Sequence, residues 1–327
     1  EDTYFSEFIG QTGQPIFWFA LFMVFTAIVV LFGVEKGIEK VSQFMMPLLV
    51  VLTIGISLYV LTIDGAWEGV KYYITPHMSD FSLKTLLAAM GQLFYSMSLA
   101  MGIMITYGSY MKRSTNLEPS VRQIEIFDTG IAFFAGLMIV PAVFAFSGGN
   151  TDALNAGPGL MFITLPKVFA SMPFGSVLGT PFFVLVFFAA VTSSISLMET
   201  IVSILMDYFH WERKKTAIIV LVYCLLMGIP SSLGFGVWDF IQPLGMSILD
   251  AWDFISNSIL MPIVALLTCF FVGFVIKPKT IIDEANAEGA KFKSVTLFTV
   301  VIKWVAPVIL IAILISSVLN AAGIYTL

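Results

Sequence analysis

The sequence predicts an all-α polytopic membrane protein, a single transmembrane domain over residues 1–327, on three observations. Of the 327 residues, 58% are hydrophobic and 11% charged, whereas a soluble chain has about a quarter charged residues. Eight windows of about 20 apolar residues, each long enough to cross a bilayer, run along the chain. The connecting loops alternate in basic residues, as the loops of a multi-pass protein do. A mean hydropathy of +0.96 agrees. The net charge of −5, with no basic run, argues against a nucleic-acid partner.

The first span, about 15–34, follows the polar opening EDTYFSEFIGQTG. That opening starts with Glu and has no signal-peptide pattern, so the native chain is expected to continue upstream. Further spans are expected at about 43–63, 85–111, 124–147, 177–208, 215–236, 253–276 and 296–320. Lys36, Lys40, Lys112, Arg113, Arg122, Arg213, Lys214, Lys215, Lys277, Lys279, Lys291 and Lys293 fall in one set of loops. Only Lys71, Lys84 and Lys167 fall in the other, and Lys303 lies inside the last span. The first set is therefore cytoplasmic, and both ends of the chain face outside. Cys224 and Cys269 lie alone in apolar spans and read as packing residues. His77 and His210 sit near span ends, against a histidine-based metal cluster.

The outer loop at 148–176 contains SGGNTDALNAGPGLMFITLPKVF. It is either a surface loop or an extracellular lid that dips into an outer vestibule.

Polar groups at membrane depth mark a bundle interior or a pathway. In GQLFYSMSLAMGIMITYGSY, Ser96 and Ser98 stand mid-span, followed by Gly102, with Tyr95 and Met101 beside them. On a continuous helix two residues apart means about 200° apart. Either each serine bonds back to its own helix, or the helix breaks and both line one cavity. In FFAAVTSSISLMET, Thr192 and Ser196 share a helical face with Glu199. Those hydroxyls suit either a hard cation or close helix packing. Asp128 stands a turn or so into the fourth span; it meets a cation, proton or basic partner there, or caps a helix that starts later. Asp253 and Asp207, at the ends of the seventh and fifth spans, are either solvated helix ends or gate partners.

In this order the segments FGVEKGIEKVSQFMMP, GQLFYSMSLAMGIMITYGSY, GPGLMFITLP and AAVTSSISLME resemble the neurotransmitter:sodium symporter family, in particular its bacterial amino-acid transporters. The resemblance covers nearly the whole chain. It implies the leucine-transporter-type inverted-repeat fold, with the eight spans as family helices four to eleven. The family's first three helices have no counterpart in this sequence. It further implies a sodium-coupled symporter, not an enzyme, working by alternating access in the bacterial inner membrane.

Residue by residue, the resemblance gives Ser96 to the first sodium site, with Asp128 at or one turn from that site's family asparagine. Ala189, Thr192 and Ser193 match the second sodium site. Tyr95, Ser96, Ser98, Met101, Ser193 and Leu197 match the amino-acid pocket. Asp253 matches the outer gate; Tyr110 and Asp207 match the inner gate. Animal members of the family use chloride to offset sodium charge, where many bacterial members use a fixed acidic side chain. Asp128 is expected to play that part, so that chloride is not required. Tyr95, Met101 and Leu197 around Ser98 suggest a hydrophobic or aromatic L-amino acid as substrate. The partners are then that amino acid and the lipid bilayer; no feature of the sequence fixes an oligomeric state.

Two other readings belong to different classes. One is a non-transporting protein that only binds amino acids. The other is an intramembrane aspartyl protease using Asp128 and Asp253, with paired carboxylates sharing a proton. Its nearest motif, GFGVWD at 234–239, has the wrong spacing and lies in an outer loop.

Overall fold

In the computed structural model the described residues are 4–79, 81–149, 157–171, 175–287 and 292–321. All of the regular structure among them is helical. Seven helical segments are long and apolar enough to span a membrane: Gln14–Leu31, Lys36–Val60, Leu117–Ser147, Val177–Phe209, Arg213–Leu233, Ile248–Val275 and Val295–Leu319. The remaining expected span, 85–111, is two short helices with an unwound stretch between them. The chain separates into two compact units, residues 1–77 with 129–239, and residues 78–128 with 240–327.

In the first unit, the short helix α1 (Tyr4–Gly10) precedes α2 (Gln14–Leu31), which starts on Pro15. Proline suits a first helical turn because the amide it lacks would have no acceptor there. A wide, π-type turn at Val34–Ile38 leads into α3 (Glu39–Val60). α4 (Ala66–Ile74) lies in the following outer loop. α7 (Leu117–Ser147) starts in the second unit and enters the first beyond Asp128.

Within the loop at 148–176, residues 157–171 are helical: α8 (Gly157–Gly159), a wide turn at Leu160–Thr164 and α9 (Leu165–Ser171). The parts of that loop at 150–156 and 172–174 lie outside the described residues. Leu165, Val168 and Phe169 are buried with Ile56, Val60, Met138 and Phe182, so the amphipathic stretch packs into this unit's core. α10 (Gly175–Phe209) and α11 (Arg213–Leu233) complete the unit.

α10 packs against α2, α3, α9 and α11. A second core joins Val30, Val191, Met198, Val202 and Val220. Polar links cross it: Thr26 Oγ1 and Ser194 Oγ stand 2.8 Å apart, and Ser57 Oγ donates to the Phe134 carbonyl at 2.7 Å. In a bilayer such packing and bonding, rather than hydrophobic expulsion, holds helices together.

α4 reaches α7 through a glycine. A Cβ at Gly69 would stand 2.6 Å from Pro141 Cα and 2.8 Å from Phe144 Cβ, both parts of the opposing helix that cannot swing away. Gly69→Ala is accordingly expected to cost about 1–3 kcal/mol, the usual range for overpacking. Thermal unfolding in detergent, compared with Gly108→Ala, checks this; a Cβ at Gly108 meets nothing within 4 Å.

In the second unit, α5 (Leu83–Ser96) opens on a capping box in which Ser82 and Thr85 satisfy each other's backbone amides. α6 is Ile103–Tyr110. α12 (Ile248–Asp253) continues through a wide turn at Phe254–Leu260 into α13 (Met261–Phe270) and a second wide turn at Phe271–Val275. α14 (Pro278–Ala285) follows, then α15 (Val295–Val300), a wide turn at Val301–Val305 and α16 (Ala306–Ala321). Ala265, Cys269 and Leu310 form this unit's core between α13 and α16, with Phe94 and Ala100 packed on it.

Candidate functional site

The helix that begins at Leu83 stops at Ser96 and restarts at Ile103. Three residues of the gap have left-handed backbone: Ser98 at φ 53°, Ala100 at φ 63° and Gly102 at φ 78°. Glycine adopts this at little cost, but Ser98 and Ala100 pay roughly 1–3 kcal/mol each, and such strain gathers at ligand sites. The amides of Met97, Ser98 and Leu99 still donate back to Leu93, Tyr95 and Phe94. Ala100 and Met101 lie outside both helices. Phe94 before the break and Ala100 within it pack on the core of the unit.

Opposite the break stands Asp128. α7 begins at Leu117, about three turns before it, so Asp128 caps nothing and projects from mid-helix. Ser96 Oγ donates to Asp128 Oδ1 at 2.6 Å. A carboxylate and a hydroxyl thus meet where α5 ends at the break, oxygen donors of the kind hard cations take. Of the pocket residues in this unit, Tyr95 is half exposed, and Ser98 and Met101 lie in the unwound stretch.

A cavity of about 280 Å³ opens in the same unit, lined by Gln92, Tyr95, Asp253, Asn257 and Met261 among others. Asp253 Oδ1 accepts from Asn257 Nδ2 at 2.6 Å across one helical turn. Tyr110, at the other end of α6, pairs its ring with Tyr107 at 6.4 Å.

The remaining candidates lie on α10 in the first unit. Thr192 is buried, and its Oγ1 donates back to the Phe188 and Ala189 carbonyls at 2.9 and 3.1 Å. Its hydroxyl oxygen and the Ala189 carbonyl are therefore neighbours. Ser193 and Leu197 share an exposed face one turn apart, and Asp207 is exposed near the end of the helix.

The spacing also put Glu199 on the Thr192–Ser196 face, and the structure gives that carboxylate a partner from the next helix. Glu199 is 0% exposed and its two oxygens take Arg213 Nη1 and Nη2 at 2.7 and 2.8 Å. Arg213 Nη1 also donates to the Val30 carbonyl at 3.0 Å, in the last turn of α2. A periodicity argument confined to one helix passes over this pair, because its basic member starts the next helix. The signal available was a lone glutamate deep in a span that ends close to RKK.

The Sodium:neurotransmitter symporter family model matches residues 3–325. An uncharacterized sodium-dependent transporter of Bacillus subtilis is 37% identical over 292 residues, which is 88% of this chain and 64% of that protein. Another, from Haemophilus influenzae, is 34% identical over 308 residues, 93% of this chain and 65% of its own. The crystal structure of MhsT in complex with L-phenylalanine superposes with a TM-score of 0.84 at 38% identity, covering 96% of this chain and 70% of that one. The chain thus spans about two thirds of the length of the bacterial relatives it matches.

Proposed function

The chain belongs to the sodium:neurotransmitter symporter family, a family of transporters rather than enzymes, and on that premise we propose that it carries out sodium-coupled symport of a hydrophobic or aromatic L-amino acid across a bacterial inner membrane. The observation that carries this reading is the 2.6 Å contact between Ser96 and Asp128 at the helix break.

Sodium enters the first site as a co-transported substrate, held by the Ser96 hydroxyl, the Asp128 carboxylate and carbonyls of the unwound stretch. The amino acid's carboxylate faces the amides at the start of α6, where the helix dipole is positive, and its ammonium faces carbonyls of the unwound stretch. Tyr95, Ser98 and Met101 surround it, Met101 giving an adaptable apolar wall. Assignment of Ser193 and Leu197 to the same amino acid, and of Ala189, Thr192 and Ser193 to a second sodium, rests on the family pattern. The gate roles of Asp253, Tyr110 and Asp207 and the lid role of 148–176 rest there as well.

Because Asp128 already supplies a fixed negative charge, chloride is not required. Transport follows by alternating access: sodium and substrate favour one state, and their release favours the other, through their difference in affinity for the two. A membrane potential adds about 2.3 kcal/mol per charge per 100 mV to inward sodium movement. The L-phenylalanine bound to MhsT supports an apolar amino acid as the cargo.

Reconstituted full-length protein is expected to accumulate labelled phenylalanine under an inward sodium gradient and not under potassium. Binding without accumulation would leave a non-transporting receptor, and a preference for glycine or a charged amino acid would overturn the substrate class.

A further inference from the structure

Lys303 lies inside the last span, eight residues beyond its start at Val295 and so about 12 Å along the helix. Among the described residues it has no carboxylate partner. None of the segments around it, Met261–Phe270, Phe271–Val275, Val295–Val300 and Ala306–Ala321, contains an aspartate or glutamate. An unpaired ammonium at this depth is costly, and long basic side chains relieve the cost by reaching for the interface.

Here the path of the side chain is set by its neighbours. Its stem runs past Gly273, where a Cβ would stand 3.3 Å from Lys303 Cγ. The ammonium then sits 5.7 Å from the centre of the Phe274 ring. Trp304 meets the same ring edge-on at 6.1 Å and is 63% exposed, so its indole faces away from the packed helices. Three and five residues beyond Phe274 come Lys277 and Lys279, in the loop that the basic-residue rule places in the cytoplasm. The carboxylates of the next helix, Asp283 and Glu284, follow further along α14.

We propose that Lys303, with the Phe274–Trp304 pair beside it and Lys277 and Lys279 in the loop that follows Phe274, forms a site for the phosphate of an anionic phospholipid in the cytoplasmic leaflet. The lipid headgroup is the occupant because it brings the charge the lysines lack. Its acyl chains also continue down the exposed apolar surface of Phe270, Phe271 and Trp304. The cation–π contact holds the ammonium beside Phe274, one residue before the end of the span Ile248–Val275 and so close to the basic loop.

The test uses the full chain in nanodiscs holding phosphatidylglycerol and phosphatidylcholine, one of the two brominated at a time. Trp304 fluorescence is isolated by subtracting the signal of Trp304→Phe. Brominated phosphatidylglycerol is expected to quench Trp304 as if enriched about five-fold over brominated phosphatidylcholine, the effect of one lysine at an anionic surface. Lys303→Gln is expected to remove the preference and Lys303→Arg to keep it. Equal quenching by the two lipids in the wild type, or an unchanged preference in Lys303→Gln, would overturn the proposal. So would loss of the preference on adding inorganic phosphate, which would make the site one for the free anion. Should Lys303→Gln fail to insert, the wild-type and Lys303→Arg comparison decides alone.

Discussion

Asp128→Asn is expected to raise the sodium concentration needed for half-maximal phenylalanine binding by tenfold or more in chloride-free medium. The carboxylate is the one formal charge bonded to Ser96, at 2.6 Å. Unit charges about 4 Å apart attract by about 4 kcal/mol at an effective dielectric of 20, and each 1.4 kcal/mol is a factor of ten in affinity. Asparagine keeps one oxygen for a cation but gives up the charge, so part of that energy goes. The variant is close in shape, so the loss reports charge rather than packing. Chloride is expected to restore part of the affinity in the variant and to change nothing in the wild type. A sodium titration of labelled phenylalanine binding, in chloride and in gluconate, measures both. Equal curves for wild type and variant would remove Asp128 from the sodium site.

Arg213→Ala is expected to destabilise the protein by about 3–5 kcal/mol, the range for stranding one member of a buried ion pair. Glu199 is wholly buried and receives both arms of the guanidinium, so the substitution takes two charge-assisted hydrogen bonds from a carboxylate in a low-dielectric interior. It also frees the Val30 carbonyl near the end of α2, a position where a cation is favourable. Removing both charges together, as Glu199→Met with Arg213→Leu, is expected to be far milder than removing Arg213 alone, since an apolar pair of similar volume replaces two desolvated ions. Thermal unfolding of the three variants in one detergent separates these outcomes. Additive losses would mean that the pair does not act as a unit.

The spans were legible because lipid demands long apolar runs, and helix breaks were legible only where polar residues marked them. Ser, Met, Leu and Ala are all tolerable helix formers, so propensity alone would carry a helix through SMSLAM. The serines at membrane depth and Gly102 gave the break away. The wide turn LMFIT gave no comparable signal, being apolar throughout, and the glycine of VEKGI and the Ser-Asn-Ser run of FISNSIL mark an irregularity without telling a wide turn from a break; tertiary packing decides their geometry.

Asp128 was ambiguous for a different reason. The polar segment LEPSVRQIE hid the true start of α7, whose first turns include an Arg122–Glu118 pair at 3.9 Å. Hydropathy finds where a helix enters lipid, not where it begins. The Glu199–Arg213 pair crosses a turn in which His210 has φ 55°, a backbone step no helical periodicity can anticipate.

Phenylalanine uptake by proteoliposomes of the full-length protein, driven by a sodium gradient with gluconate on both sides, tests the central claim most directly. The Ser96–Asp128 site predicts accumulation that needs sodium, proceeds without chloride and falls in Asp128→Asn until chloride is supplied. Wild-type uptake that collapses without chloride, or proceeds without sodium, would contradict it.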